Sequence, residues 1–303
     1  MKFRRVFNNS DYILMEGALG ERLKREYGLK IDGAVAMANL IYSEDGKKAL
    51  KTLWQQYSEI ANKYKLPFIA TTPTRRANYE NVKNAGYDQQ IILDNVAFLK
   101  EIQKDNANMF VGGLMGCKGE AYTGEGALSE QEAFKFHSWQ ANVFKKANVD
   151  FLYAGIMPNI QEACGMAKAM AQTGLPYIIS FTIQENGKLI DGTTIHDAIQ
   201  QIDSLEIDKP ICYMSNCVHP IILYKALSQL FNDTQLVKQR FKGIQANTSA
   251  LPYSELDRSE ELKTSTPNDL AKDMKKLKQF YLKIYGGCCG TDNHHMEKIA
   301  EIL

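Results

Sequence analysis

Two adjacent cysteines, Cys288 and Cys289, lie among glycines in the run GGCCGT at residues 286–291. Zinc and other soft divalent metals prefer thiolate ligands in a roughly tetrahedral arrangement. Consecutive side chains reach one ion only where the backbone bends sharply, and glycine permits such a bend. The run therefore indicates a metal site, while a vicinal disulfide or two buried thiols are the alternatives.

A third ligand is predicted at Cys217, which ends an apolar stretch in the sequence SNCVHP at residues 215–220. Three thiolates leave one coordination position open, and an open position is typical of catalytic rather than structural zinc. The spacing of His219 from Cys217 would allow a fourth ligand, but His219 is interpreted as the start of the next helix. Of the other cysteines, Cys117 could approach the site, and the rest are interpreted as structural: Cys164 and Cys212.

The composition is that of a globular protein with a large core, since 45% of the 303 residues are hydrophobic and 23% are charged. A net charge of +1, spread along the chain, gives no footprint for nucleic acid or an anionic membrane surface. No apolar run is long enough to cross a bilayer, and polar residues 8–11 stand where a signal peptide would need its apolar segment. Six cysteines are too few for a disulfide scaffold of this size, so a cytoplasmic location is predicted.

Short β-rich runs alternate with segments of helical periodicity, which favours a parallel sheet. Eight such units in about 300 residues predict a (β/α)8 TIM barrel of the α/β class, with residues 1–303 forming a single domain. The predicted strands are 12–19, 67–72, 109–115, 150–156, 177–183, 211–217, 243–248 and 280–285. The main predicted helices are 47–65, 88–104, 129–146, 159–173, 193–202, 220–230, 268–277 and 292–303.

The candidate metal-binding and substrate-binding residues lie at the carboxyl ends of the predicted strands, where TIM barrels carry their active sites. This placement supports the fold and the metal site together. The residues concerned are Glu16 and Gly17 at the end of the first strand, 71–75 at the end of the second, Cys217 at the end of the sixth, Asn247 at the end of the seventh, and Cys288 and Cys289 after the eighth.

As a set, these motifs resemble the zinc-dependent homocysteine S-methyltransferase family. That family includes enzymes that use S-methylmethionine or betaine, and the homocysteine module of methionine synthase. The resemblance rests on GGCCGT with His295 in the next helix and on Asn216 and Cys217 followed by Pro220. Less specific motif matches are GALG at 17–20, YTG at 122–124, FH at 136–137 and PNIQEA at 158–163.

The resemblance implies a (β/α)8 barrel that binds Zn2+ through Cys217, Cys288 and Cys289 and methylates homocysteine to methionine from a small methyl donor. A different thiol substrate is an alternative, as is a zinc-binding barrel that is inactive or depends on a partner. No nucleic-acid or membrane partner is expected, and a homo-oligomer stays open. The residues expected to contact substrate are Glu16, Gly17, Thr72, Arg75, Asn216 and Asn247.

Three positions depart from the family pattern. Glu16 replaces the usual aspartate, and Pro73 follows the threonines where an asparagine is usual. Gly155 stands where the family usually carries a glutamate that holds the substrate amino group. Arg75 or Arg76 is therefore expected to bind an anionic group of a different or additional substrate, unless both are solvated or pair with neighbouring acidic residues.

Overall fold

A computed structural model describes residues 2–31, 33–251 and 264–303. Eight parallel strands form a closed barrel in chain order, so the predicted single α/β domain of the TIM-barrel type is confirmed. The strands are β1 Ile13–Met15, β2 Phe68–Thr71, β3 Met109–Gly116, β4 Phe151–Met157, β5 Tyr177–Phe181, β6 Cys212–Val218, β7 Phe241–Ala246 and β8 Ile284–Gly287.

The barrel closes between its first and last strands, where Ile13 pairs with Ile284 and Leu14 with Tyr285. Closure leaves no exposed sheet edge among these strands. All carboxyl ends consequently surround one opening, which is the end where the candidate site lies.

The described helices surround the barrel, and most begin at a side-chain cap. In α6, for example, Ser129 and Glu132 form a reciprocal capping box. The helices are α1 Lys2–Asn9, α2 Gly20–Tyr27, α3 Glu44–Lys63, α4 Tyr79–Asn84, α5 Gln90–Lys104, α6 Glu130–Ala147, α7 Ile160–Ala171, α8 Ile195–Asp203, α9 Pro220–Leu227, α10 Gln235–Arg240, α11 Pro267–Lys276 and α12 Asn293–Glu301, with 3-10 turns at Ala36–Tyr42 and Leu277–Phe280. None of the described helices is long and apolar enough to span a membrane.

Helix α1, which the sequence analysis did not predict, packs against the amino end of the barrel. The Phe3 ring stacks on Phe151 at 4.3 Å and lies 5.4 Å from Phe110. Phe3 and Phe7 belong to the cluster of apolar side chains inside the barrel. Because this cluster fills the amino end, the barrel interior opens toward the opposite end.

Two predicted strand boundaries are wrong. The eighth strand begins at Ile284 rather than at residue 280, because the chain first forms a 3-10 turn and then passes through Tyr281 in the left-handed conformation, φ +59°. The first strand ends at Met15 rather than at residue 19. The chain leaves the barrel there, so that Glu16 and Gly17 lie at its mouth.

Candidate active site

The cysteines predicted as metal ligands meet at the carboxyl ends of β6 and β8. The sulfur atoms of Cys217, Cys288 and Cys289 all lie within 4.8 Å of one another, and those of Cys288 and Cys289 are 4.0 Å apart. Zn–S bonds of ~2.3 Å in a tetrahedral site would place sulfurs about 3.8 Å apart. The cluster could therefore hold a metal after a small contraction.

Backbone hydrogen bonds position the paired cysteines. Cys288 N donates to Ala246 O at 2.7 Å, and Gly287 N donates to Glu16 O at 3.0 Å, so the segment is tied to strands on both sides. Gly290 then takes φ +82°, and a Cβ there would stand 2.0 Å from Thr248 Oγ1. Glycine is thus required at this turn, as predicted from the sequence.

Cys217 itself has φ +57°, a conformation that non-glycine residues seldom adopt. Ile156, at the end of β4, is also left-handed, at φ +58°. Such positions typically cost ~1–3 kcal/mol each and persist only where the surroundings impose them. Both lie on the wall of the same pocket.

The pKa values of the three thiols are shifted in different directions. Hydrogen bonds from Cys288 and Cys289 hold the pKa of Cys217 well below its ordinary value, and hydrogen bonds from Tyr122 and the charge of Arg75 act in the same direction. The pKa of Cys288 is raised, and that of Cys289 rises to about 12, chiefly because each donates to Cys217. In the metal-free cluster Cys217 is thus the sulfur that accepts hydrogen bonds from its two neighbours.

The alternatives considered for the other cysteines and for His219 are now resolved. All six cysteines are free, so no vicinal disulfide links Cys288 to Cys289. His219 begins α9 as its cap, with Nδ1 accepting from Ile221 N, and it is not part of the cluster. Cys117 is half-buried and also outside the cluster, and two cysteines are fully buried: Cys164 and Cys212.

A pocket of about 460 Å³ adjoins the sulfur atoms. Five of the six predicted substrate-contact residues line it: Glu16, Gly17, Thr72, Arg75 and Asn216. Asn247 lines a neighbouring cavity of about 660 Å³ instead. The two cavities share Cys217 and Tyr122, so the cluster lies between them.

The neighbouring cavity contains polar atoms without partners. Asn247 Oδ1 and Thr182 Oγ1 are buried and have no hydrogen-bond partner in the part of the chain that the structure describes. Buried polar atoms are usually satisfied, so these two are exceptions among the described residues.

Glu16 is buried, and its carboxylate is held by neighbouring residues. Trp54 Nε1 donates to Oε2 at 2.6 Å, and Thr71 donates to Oε1 through its amide at 2.9 Å and its hydroxyl at 2.6 Å. Burial raises the pKa of Glu16 to about 7, against the opposing effect of these hydrogen bonds. The adjacent Gly17 is required, since a Cβ there would stand 2.8 Å from the Tyr57 ring.

Asn216 has a fixed amide orientation beside Gly155. Its Oδ1 accepts from Ile156 N at 3.0 Å and from Ser180 Oγ at 2.5 Å. Its Nδ2 lies 3.8 Å from the position that a Gly155 Cβ would take. Beside Gly155 the site therefore presents a hydrogen-bond donor, Asn216 Nδ2.

The loop after β3 brings Tyr122 to the cluster, a residue that the sequence analysis noted only within a weak motif. Its hydroxyl is hydrogen bonded to Cys217. The buried Glu162 carboxylate supports this loop by accepting from Lys118 N at 2.7 Å and from His137 Nε2 at 3.0 Å. The PNIQEA motif thus positions a loop of the site.

The homocysteine S-methyltransferase family model matches residues 13–303. The chain belongs to the homocysteine S-methyltransferase family. The resemblance carried by its cysteine motifs is therefore confirmed.

Individual members of the family are distant. Betaine–homocysteine S-methyltransferase 1 of Bos taurus is 25% identical over 193 residues, and its counterpart in Rattus norvegicus is 24% identical over 194 residues. These matches span 58% of the chain and 45% of each relative. The homocysteine methyltransferase MmuM from Escherichia coli has the same fold: its oxidized and metallated forms superpose with a TM-score of 0.79 at 18% and 17% identity and 99% coverage of both chains.

Proposed function

We propose that this protein is a zinc-dependent thiol S-methyltransferase, with methylation of homocysteine to methionine as the reaction that its family implies. The observation that carries the proposal is the cluster of three thiols, within 4.8 Å of one another, at the edge of a pocket of about 460 Å³. Zinc bound there would deprotonate a coordinating substrate thiol and keep its sulfur nucleophilic at neutral pH.

The chain's own residues would supply ligands and position. Cys217, Cys288 and Cys289 would hold the metal, and the hydrogen bond from Tyr122 would fix the orientation of one ligand sulfur. The pocket wall would align the acceptor sulfur with the methyl carbon of the donor. The sulfur gains the methyl group, and the donor leaves with the electron pair of the broken bond.

The chemistry of the ligand set supports transfer to a thiol over hydrolysis. Water-activating zinc sites commonly use histidine and carboxylate ligands, whereas this cluster contains only cysteines. His219, the nearest histidine in sequence to Cys217, is occupied as a helix cap. A substrate thiol would complete the metal's coordination without displacing a protein ligand.

The metal assignment is tested by Cys217→Ser, Cys288→Ser and Cys289→Ser, with Cys164→Ser as the matched control. Each cluster variant should bind zinc more weakly than wild type, while the control retains it. Metal content after dialysis against graded chelator concentrations measures the effect. Full zinc retention in all three cluster variants would refute the ligand assignment.

The transferase assignment is tested by incubating the purified, zinc-loaded protein with homocysteine and, separately, S-methylmethionine, S-adenosylmethionine and betaine. Methionine formation with one donor and the protein alone supports the proposal. Zinc binding without turnover with any of the donors would favour the alternative of an inactive or partner-dependent barrel.

A further inference from the structure

The pocket beside the thiols has more basic than acidic side chains. Among the described residues that line it, the basic ones are Lys24, Arg75 and Arg76, and the acidic ones are Glu16 and Glu21. A substrate ammonium group would have to pair with one of the two acids, so their availability decides which substrate groups the pocket can recognise.

Both acids are already engaged. Glu16 accepts three hydrogen bonds from Trp54 and Thr71, and burial raises its pKa to about 7, so at neutral pH it is only partly charged. Glu21 accepts from Gly290 N in the cysteine turn. Each of the two carboxylates therefore already accepts a hydrogen bond from the protein, and at Glu16 both oxygens do so.

Arg75, in contrast, is available. Its stem packs where a Cβ of Gly116 would stand, 2.6 Å from Arg75 Cγ, so this glycine makes room for the side chain. Arg75 lines the pocket and makes no side-chain hydrogen bond or ion pair with any residue in the ranges 2–31, 33–251 and 264–303. Its positive charge nevertheless acts electrostatically on the thiols of Cys217 and Cys289.

The floor of the pocket adds a second donor. Asn216 Oδ1 accepts from Ile156 N and Ser180 Oγ, and Asn216 Nδ2 lies 3.8 Å from the position that a Gly155 Cβ would take. Gly155 has no side chain to offer an acceptor. Guanidinium and amide N–H groups together suit a carboxylate or another oxyanion, with which arginine forms forked hydrogen bonds.

We propose that this pocket selects its acceptor thiol by an anionic group, bound by Arg75 and the Asn216 amide, and that its described residues form no subsite for an ammonium group. The acceptor class is then the mercapto acids, and homocysteine would be held through its carboxylate alone. This inference rests on the proposed function, since it concerns the thiol that the cysteine cluster activates.

Calorimetric titration of the zinc-loaded protein with four thiols tests the inference. L-homocysteine carries a carboxylate and an amine, 4-mercaptobutyrate only the carboxylate, 3-amino-1-propanethiol only the amine, and 1-propanethiol neither. We expect 4-mercaptobutyrate to bind about 10- to 100-fold more tightly than 1-propanethiol, the range for a hydrogen bond to a charged group. Homocysteine should bind within about threefold of 4-mercaptobutyrate, and the amine alone should add nothing.

Variants assign the effect to a residue. Arg75→Gln should reduce the affinity ratio of 4-mercaptobutyrate to 1-propanethiol to within about threefold of unity. Because this is a ratio, any effect of the lost charge on sulfur binding cancels. Arg5→Gln, at the opposite end of the barrel, is the control for charge and should leave the ratio at its wild-type value. Zinc content is measured for each variant.

Gly155→Glu should create the missing subsite, raising the affinity for homocysteine relative to 4-mercaptobutyrate by about tenfold. Its Cβ would meet Leu114 Cδ1 at 2.9 Å, the end of a flexible side chain. Gly155→Gln, with the same shape and no charge, is the matched control.

The outcomes separate the inference from the function on which it rests. Homocysteine binding ten times more tightly than 4-mercaptobutyrate, or an unchanged ratio in Arg75→Gln, overturns the inference and leaves the thiol chemistry intact. Failure of all four thiols to bind a protein with confirmed zinc overturns both.

Discussion

Glu16 should make the folded protein less stable at neutral and alkaline pH than at mildly acidic pH. Its carboxyl group has a pKa of about 7 in the folded protein and an ordinary value of 4.5, because burial disfavours the charged form. The folded state therefore binds the proton more tightly than the unfolded chain does. The contribution of Glu16 to the free energy of unfolding falls as pH rises from 4.5 to about 7 and is constant above that.

The size of the effect follows from the two pKa values. One pKa unit corresponds to about 1.4 kcal/mol, so the interval from 4.5 to about 7 gives about 3 kcal/mol. Glu16→Gln removes the titrating group while keeping the length of the side chain. The NH2 group of the new glutamine cannot accept a hydrogen bond, so at least one donor of Trp54 or Thr71 loses its acceptor. The free-energy cost of that loss does not vary with pH. The variant should therefore gain about 3 kcal/mol relative to wild type between pH 4 and pH 8.

Urea unfolding of both proteins across this pH range, with chelator and reductant present, measures the difference. Removal of metal matters because a ligand that binds only the folded state would add its own pH dependence. Glu59→Gln, which removes an exposed carboxyl group from α3, supplies the baseline. If the Glu16→Gln and wild-type curves stay parallel over the whole range, the buried carboxyl group is not the source of the pH dependence.

Three further changes test other parts of the structure. Gly17→Ala should lower the free energy of unfolding by about 1–3 kcal/mol through overpacking against a buried tyrosine ring, whereas Gly33→Ala, with no atom of the other described residues within 4 Å of the new Cβ, should be nearly neutral in the same urea titration. Phe3→Ala should cost about 3–5 kcal/mol because it empties the amino end of the barrel, and an unchanged thermal midpoint would contradict that packing. Glu162→Gln should speed hydrogen exchange at the Lys118 amide, which loses a charged acceptor, while amides in the barrel strands keep their protection.

The order of strands and helices was largely predictable because strand runs and helical periodicity alternate along the chain. The metal cluster was predictable for a different reason. Three cysteines at strand ends of one barrel must share one face, and glycines around Cys288 allow the bend. These are local properties that a single sequence carries.

Features that depend on tertiary packing were not predictable. Helix α1 has few apolar residues, and only its docking against the barrel explains Phe3. Strand β8 was placed too early because Gly286 and Gly287 have low strand propensity. Their real constraint is space: a Cβ on Gly286 would stand 2.8 Å from Met15 Cβ, and one on Gly287 would stand 2.3 Å from Thr291 Oγ1. The direction of the Arg75 side chain likewise depends on the room that a distant glycine leaves.

The cluster joins the sulfur of Cys217, in the sixth strand, to those of Cys288 and Cys289, which follow the eighth. The eighth strand closes the barrel against β1. In an intermediate in which only the first seven strands have paired, only one of the three cysteine ligands would be in its native position. Tight thiolate coordination would therefore appear only at the last stage of folding, since metal binding and folding of such a site are coupled. The absorption of cobalt(II) added during refolding would thus report when the barrel closes. Its time course can be compared with that of helix formation.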